Sequence, residues 1–253
     1  MSMWLGVGCA VVGPTPAALL GSSLPTLKLE YDARNLALSN GAAVSAWANT
    51  GTVGSTGDMA QGTGANQPVY STTGMNGLPT VTFDGSNDFM ASGSIASSTL
   101  SASGLWSVFL VVKWSTTGGA NICAFDHDNG LVTGRSMKVG ASNTTARAVG
   151  FDTSMNPFVD TETGSNGTGT VLSVVRDSTS IQLWVNGTSG GSTATTGTPF
   201  VGATTVPLRL GCNQGTGEFW NSAISYAAYS AGAASTVQRQ AMEASLKAIW
   251  GTP

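Results

Sequence analysis

Charged residues are scarce in this chain of 253 residues. They make up 9% of the sequence, against roughly 25% in ordinary soluble domains. Ten Lys and Arg stand against thirteen Asp and Glu, which gives a net charge of −3, and the sequence has no basic stripe. Such a stripe is needed to hold a phosphate backbone, so nucleic acid is not expected as a partner.

Glycine and hydroxyl residues stand where charge is missing. The chain has 34 Gly, and Ser and Thr are abundant, which predicts a neutral, hydroxyl-rich surface. Secreted adhesins and virion shell or fibre proteins have surfaces of this kind, so we expect an extracellular or particle-bound setting.

Cysteine and histidine are rare as well. Cys9, Cys123 and Cys212 are odd in number and far apart, so they form no disulfide framework, and no CxxC spacing suggests zinc. We expect Cys123 and Cys212 to be buried, because both stand in apolar strand-like runs. His127 is the single histidine, which excludes a His-rich metal centre, and no GxSxG elbow accompanies it. No cofactor is expected.

The sequence has no run of about 20 apolar residues that could span a bilayer, so no membrane association is expected. Residues 1–26 are apolar and interrupted by proline, but they lack the Lys or Arg of a signal peptide's n-region. We therefore expect an uncleaved arm over residues 1–26, packed on its own domain or on a neighbouring subunit, followed by one domain over residues 27–253.

Short apolar or alternating runs follow one another from Leu27 onward, separated by turn residues. About eleven strands in one domain predict two packed antiparallel sheets. The run "LWSVFLVVKW" predicts a central strand covered on both faces, and residues 170–187 predict a hairpin that ends at an Asn186-Gly187 turn. The predicted strands are 27–31, 43–48, 79–84, 88–92, 105–114, 121–126, 146–151, 170–177, 180–187, 206–212 and 223–230.

One helix is predicted, in "ASTVQRQAMEASLKAIWG". Ser235 and Gln238 form a capping box, and Gly251 offers a C-cap. The helical spacing of Met242, Leu246, Ile249 and Trp250 gives an apolar stripe. We expect this stripe to be buried against the edge of the sandwich.

The order of segments resembles a known family. The runs "YDARNLALSNGAAVSAWANTGT", "LPTVTFDGSNDFM", "WSVFLVVKW" and "LSVVRDSTSIQLWVNG", with the closing helix, are similar to the concanavalin A-like and laminin G-like jelly rolls of bacterial surface proteins and bacteriophage virion proteins. The resemblance covers Leu27 to Gly251. It implies an all-β fold, a two-sheet antiparallel jelly-roll sandwich with one short C-terminal helix.

The run "LKLEYDARN" raises the question of catalysis. Glu30 and Asp32 stand two apart, so they share one face of a strand. The wider superfamily includes retaining β-glucanases with a Glu-x-Asp-x-x-Glu pattern, in which the second Glu is the acid. Here Asn35 takes that position, and an amide cannot protonate a leaving group. No catalytic residue is therefore predicted.

The same run is predicted to be the first strand of the sandwich, with Leu27 and Leu29 on the core face opposite Lys28 and Glu30. A glycoside hydrolase stays open only through a distant acid, such as Glu162 or Glu218.

Two acidic runs are predicted to be turns. In "FDGSNDF", Asp84 and Asp88 are expected to hydrogen-bond the backbone of the turn between two strands. In "FDHDNG", Asp126, Asp128 and Asn129 could bind calcium, but their spacing is one residue short of an EF-hand and suits an ordinary turn. No metal site is predicted.

Sugar binding would call for exposed aromatic rings beside amides or carboxylates. "NQGTGEFWN" supplies Glu218, Phe219 and Trp220, and Trp184 lies on the outward face of its predicted strand. The alternative for Trp220 is packing beneath the terminal helix, and this alternative is favoured.

These observations and the resemblance favour a non-enzymatic structural or interaction protein. The first expectation is an accessory component of a bacteriophage virion, a capsid decoration protein or a tail or fibre protein, whose arm binds other virion proteins or copies of itself in a homo-oligomer. The alternative is a bacterial carbohydrate-binding module or adhesin, extracellular or at the cell surface, that binds cell-surface glycans. A glycoside hydrolase is less favoured.

Overall fold

The computed structural model describes Leu24 and residues 26–113, 121–127, 137–142, 145–150, 158–161, 169–194, 205–213 and 217–253. Apart from Leu24 and Thr26, the predicted arm over residues 1–26 lies outside the described residues. So do Cys9, Asp128, Asn129 and Glu162.

Sixteen strands lie within the described residues and form two antiparallel sheets of eight. The first sheet contains β1 (Leu27–Asp32), β4 (Val69–Met75), β5 (Leu78–Asp84), β7 (Trp106–Val112), β12 (Thr170–Arg176), β13 (Ser180–Val185), β14 (Thr188–Ala194) and β16 (Asn221–Ala231). The second sheet contains β2 (Ala46–Trp47), β3 (Met59–Ala60), β6 (Met90–Ala96), β8 (Asn121–His127), β9 (Met137–Ser142), β10 (Thr145–Gly150), β11 (Phe158–Thr161) and β15 (Thr205–Leu210).

The first sheet has the order β14-β13-β12-β7-β16-β5-β4, and the second has the order β11-β10-β9-β8-β15-β6-β3-β2. The long strand β16 pairs with β7 along one edge. Its other edge is shared between β5, which pairs with its first residues, and β1, which pairs with its last. The predicted two-sheet antiparallel sandwich is confirmed.

The main core lies between the two sheets, and β7 is covered on both faces as predicted. Val108, Leu110 and Val112 face the core between the sheets, and Phe109 and Val111 face the opposite side. All of them are fully buried, because a second apolar layer covers the outer face of the first sheet. A strand without an exposed face can be apolar at every position.

The second layer is supplied by the terminal helix, α2 (Thr236–Trp250), which follows a single helical turn, α1 (Ser97–Leu100), earlier in the chain. The capping box of Ser235 and Gln238 and the left-handed Gly251 are both present as predicted. The stripe of α2 packs on the face of the first sheet and not on the sandwich edge, so that part of the prediction is wrong. A face is favoured because it covers more apolar surface, at about 1.5–3 kcal/mol for each large side chain buried.

The helices of the described residues are all too short or too polar to cross a bilayer.

Strand β1 differs from its predicted pattern at one position. Its pairing with β16 shifts register between Leu27 and Leu29. Leu29 enters the core between the sheets, but Leu27 packs in the layer beneath α2, together with Leu24 from the end of the arm. The prediction that both leucines share the core face is therefore wrong, because the irregularity breaks the two-residue alternation.

Turns follow the predicted chemistry. Asn186 and Gly187 both have positive φ, 51° and 82°, which is the backbone of a tight hairpin turn between β13 and β14. Asp84 Oδ1 accepts hydrogen bonds from the backbone N–H of Ser86 and Asn87 at 2.8 and 3.1 Å, and Asp88 Oδ2 accepts one from Asp84 N at 3.0 Å. The "FDGSNDF" segment is thus a structural turn, as predicted.

Candidate functional site

The two carboxylates of "LKLEYDARN" share one face of β1, and both are buried. Glu30 is 3% exposed and Asp32 is 1% exposed. Glu30 accepts hydrogen bonds from the hydroxyls of Thr50, at 2.7 Å, and Tyr226, at 2.8 Å. Asp32 is paired with Arg34, whose Nη2 lies 2.6 Å from Oδ2. Neither carboxylate faces an open groove, where a catalytic group would have to meet its substrate.

The predicted aromatic cluster near Glu218 is structural. The Glu218 carboxylate forms an ion pair with Lys138 of β9. Phe219 forms an isolated bridge to Cys123, and Trp220 is fully buried in the core between the sheets. Trp220 therefore packs neither in an open site nor beneath the terminal helix, so the favoured alternative for it was wrong as well.

Trp184 does point away from the core between the sheets, but α2 covers it. The guanidinium carbon of Arg239 lies 4.1 Å from the centre of the indole ring. Arg239 in turn donates two 2.6 Å hydrogen bonds to the Glu243 carboxylate. A sugar ring cannot stack on a face that a guanidinium already occupies, so Trp184 is not a binding platform.

The possible calcium ligands are only partly described. Asp126 is fully buried in β8, and Asp128 and Asn129 lie outside the described residues. His127 is also buried, its Nε2 lies 3.0 Å from the carbonyl oxygen of Ile95, and burial lowers its pKa. Across the part of the chain that the structure describes, no three His, Cys, Asp or Glu side chains gather in a way that could hold a metal.

Both described cysteines are free and buried, as predicted. Burial raises the pKa of the Cys123 and Cys212 thiols. A buried thiol with a raised pKa forms little thiolate and is chemically inert.

A concave site lies in a part of the molecule for which the sequence predicted no binding site. Two segments that follow β1 enclose a partly open pocket of about 320 Å³, here called the loop pocket. Its lining consists of residues 35–38, residues 45–48 and Thr50.

The first wall of the loop pocket is set by the end of β1. Asp32 caps the short turn Ala33–Asn35 by accepting a 2.9 Å hydrogen bond from the backbone N–H of Arg34. The chain then leaves the sheet, and Leu36 and Leu38 pack partly against the sandwich core. The Asp32 cap therefore holds the start of this wall, and the packing of Leu36 and Leu38 holds the rest of it.

The second wall is fixed by Trp47 and Asn49. Trp47 is 1% exposed, packs edge-on against Tyr31 with ring centres 5.9 Å apart, and donates from Nε1 to the carbonyl oxygen of Asp32 at 3.3 Å. Asn49 Oδ1 accepts from the backbone N–H of Glu30 at 2.9 Å, and its own N–H donates to Asp58 at 2.8 Å. The bonds to Asp32 and Glu30 hold the second segment against β1, and the bond to Asp58 ties it to the chain that follows.

The chemistry of the loop pocket is neutral. Its lining contains leucine and alanine surface beside the polar groups of Asn35, Ser45 and Thr50, and it contains no ionisable side chain. Apolar walls with a few polar groups are typical of small-molecule sites, and about 320 Å³ lies at the small end of their usual size.

The signal for the loop pocket was present in the sequence. Leu36 and Leu38 stand in the polar, turn-rich run "ARNLALSNGAA", where apolar side chains have no strand or helix to explain them. The aromatic-rich segments suggested a sugar site instead, but Trp220 lies in the core between the sheets and Trp184 lies in the layer covered by α2.

No protein-family model matches the chain, and no curated protein does. Solved structures are similar in fold. Domain 4 of AbnA, a GH43 extracellular arabinanase from Geobacillus stearothermophilus solved in complex with arabinotriose, is 17% identical with a TM-score of 0.58, over 87% of this chain and 99% of that one.

Two larger proteins are similar over part of their length. The sialidase of Trypanosoma rangeli, in complex with sialic acid, is 11% identical with a TM-score of 0.63, over 92% of this chain and 34% of that one. The receptor-binding domain of botulinum neurotoxin type G is 10% identical with a TM-score of 0.59, over 90% and 54%. At these identities the likeness shows the fold alone. The chain is a jelly-roll sandwich of the class predicted.

Proposed function

We propose that this chain is a non-catalytic carbohydrate-binding domain that holds a short stretch of glycan in the loop pocket. The carrying observation is the loop pocket itself, a rigid concave site of about 320 Å³ lined by apolar side chains and neutral hydrogen-bonding groups. Pyranose and furanose rings present apolar C–H faces and hydroxyl edges, which match such a lining. Its volume suits one or two sugar residues.

The similar structures support a carbohydrate-binding role. The arabinanase domain is solved with arabinotriose, and the toxin domain is a receptor-binding domain. The arabinanase is described as extracellular, in keeping with the low charge of this chain, so an extracellular setting is part of the proposal. The alternative drawn from the sequence thereby gains over the virion assignment.

A binding role rather than hydrolysis is supported by the carboxylates. Glu30, Asp32 and Glu243 are buried in hydrogen bonds or ion pairs, and Glu218 is paired with Lys138. Asp84 and Asp177 each bond the backbone of a turn. A retaining or inverting glycosidase needs two carboxyl groups on opposite sides of one open site.

The virion assignment, the anchoring arm and the homo-oligomer stay predictions. No comparison bears on them, and most of residues 1–26 lie outside the described residues.

The test is binding of the purified chain to an array of plant, bacterial and animal glycans, followed by pocket filling. Ala46→Phe adds a ring at a pocket-lining position on edge strand β2, where an aromatic residue fits the backbone. Ala244→Phe, on the exposed face of α2, is the matched control. We expect the wild type and the control to bind the same glycans and Ala46→Phe to lose them. A wild type that binds no glycan, or an Ala46→Phe variant that binds as the wild type does, would overturn the proposal.

A further inference from the structure

The hydrogen bonds and charges around the loop pocket also determine which sugars it can accept. Resting on the proposed function, we infer that it takes uncharged sugar residues, whose hydroxyl groups donate hydrogen bonds to it, and that it rejects sugars bearing a carboxylate or sulfate. Three features of the described residues carry this inference: the direction of one hydrogen bond, the hydrogen bonds that occupy the nearby cation, and a buried carboxylate bonded to the pocket-lining Thr50.

The hydrogen bond belongs to Thr50, which lines the loop pocket. Its hydroxyl donates to Glu30 Oε2 at 2.7 Å, and the second oxygen of Glu30 accepts from the Tyr226 hydroxyl. A carboxylate only accepts, and a hydroxyl has one proton, so that proton of Thr50 is committed. Thr50 Oγ1 therefore meets a ligand as an acceptor. A sugar hydroxyl can donate to it, whereas a carboxylate or sulfate oxygen would place lone pairs against lone pairs.

The nearest cation along the chain is not free for an anionic ligand. Arg34 donates from Nε to both oxygens of Asp32 at 3.1 Å and from Nη2 to Oδ2 at 2.6 Å. Its guanidinium also lies 5.6 Å from the ring centre of Trp250. Its charge is thus compensated by Asp32. The indole N–H of Trp47 is likewise committed to the Asp32 carbonyl oxygen.

The charge of Glu30, which lies next to the pocket-lining Thr50, also disfavours an anionic ligand. The hydrogen-bond partners of the Glu30 side chain are two hydroxyl groups, and the carboxylate is almost fully buried. A buried charge is screened much less than one in water, so it repels an anion in the adjoining pocket. A neutral sugar does not meet this repulsion.

The experiment uses matched pairs of sugars that differ only at C6. Isothermal titration compares the full chain with neutral oligosaccharides of glucose, galactose, mannose, xylose and arabinose, and with the glucuronate, galacturonate and 6-sulfated counterparts of the hexose series. We expect binding of at least one neutral hexose ligand and at least about tenfold weaker binding of its acidic counterpart, since one unpaired polar contact in a binding site costs about that much.

Two variants test the atomic basis. Thr50→Val keeps the shape and removes the acceptor, so binding of the neutral sugar should weaken about tenfold. Thr52→Val is the matched control, because Thr52 donates to the Leu27 carbonyl oxygen and does not line the pocket. Glu30→Gln gives Thr50 an amide donor and frees its proton, so the preference for neutral over acidic sugars should narrow. Thermal unfolding checks that each variant is folded. If Glu30→Gln does not fold, the binding data for Thr50→Val alone test the inference.

The outcomes separate the inference from the function on which it rests. Acidic sugars that bind as well as their neutral counterparts, or unchanged binding of neutral sugar by Thr50→Val, overturn the inference and leave a carbohydrate-binding domain in place. A wild type that binds no sugar of either kind overturns the proposed function and the inference together.

Discussion

The hydroxyl of Tyr226 donates a 2.8 Å hydrogen bond to the carboxylate of Glu30, and both side chains are buried. The bond joins β16, in the middle of the first sheet, to β1, and Glu30 of β1 is also bonded to Thr50 in the lining of the loop pocket. Burial and the charge of Glu30 raise the pKa of Tyr226 well above its ordinary value, so the phenol keeps its proton and remains a donor. The packing beneath α2 and the loop pocket are thus connected through one carboxylate.

Removing this donor should cost stability. Tyr226→Phe leaves one oxygen of the buried Glu30 without its partner, and we expect a loss of about 1–3 kcal/mol in the free energy of unfolding, measured by urea denaturation. Tyr229→Phe is the matched control on the opposite face of β16, since its hydroxyl bonds the neutral Ser101 and its loss should be nearer to 1 kcal/mol. Equal losses in the two variants would contradict a special role for the Glu30 contact.

The Arg239–Glu243 ion pair on the buried face of α2 should contribute to stability as a unit. Arg239 and Glu243 are 5% and 3% exposed, and Arg239 also covers Trp184. Arg239→Met leaves the Glu243 carboxylate buried without a cation, which should cost about 3–5 kcal/mol. The double variant Arg239→Met with Glu243→Leu replaces both groups by apolar ones, so it should regain most of that loss in the same denaturation experiment. A double variant as unstable as the sum of two single variants would show that the two side chains act independently.

The turn that contains Asp84 and Asp88 should make stability depend on pH. Burial and the neighbouring charge of Asp84 raise the pKa of Asp88 from 3.8 to about 6. Between these values the folded chain holds a proton that the unfolded chain has released, so this contribution to stability is lost as pH rises through about 6. Asp88→Asn should therefore raise Tm by a few degrees at pH 7.5 and change it little at pH 4.

Asp177 provides a control of opposite sign. Burial tends to raise its pKa, but hydrogen bonds from Thr179 and Ser180 outweigh burial and hold the pKa below its ordinary value. Asp177→Asn should then lower Tm at pH 7.5, with a difference that shrinks as the pH falls through the acid range. If both variants shift Tm in the same direction at pH 7.5, the assignment of the two carboxylates is wrong.

The fold could be predicted where the signal is local. A few neighbouring residues are enough to predict the capping box at Ser235, the apolar strand β7 and the Asn186-Gly187 turn. Strand β14 could not be predicted, because "TSGGSTA" has no apolar alternation and is held by pairing with β13. Strand β4 was missed for a similar reason, since only two of its residues, Tyr70 and Met75, are buried.

The site could be predicted much less well than the fold. The sequence separates the walls of the loop pocket by several residues without secondary structure, and long-range bonds bring them together. Asn49 reaches back to Glu30, and Trp47 reaches back to Asp32. Trp184 and Trp220, which the sequence offered for sugar binding, are covered in the fold. A hydrophobic ring is most often core material, and only the fold shows which rings remain open to solvent.

The end of α2 supplies the last test. Gly251 has φ = 60°, and the side chain of Asn76 donates to the carbonyl oxygen of Trp250 beside it. In Gly251→Ala the new Cβ would be strained by that φ and would lie 3.1 Å from Asn76 Nδ2. We expect a loss of about 1 kcal/mol, with the carboxyl end of α2 exchanging its amide hydrogens faster. Gly62→Ala is the control, because a Cβ at Gly62 meets nothing within 4 Å. Equal stability of the two variants would mean that α2 ends without help from a left-handed glycine.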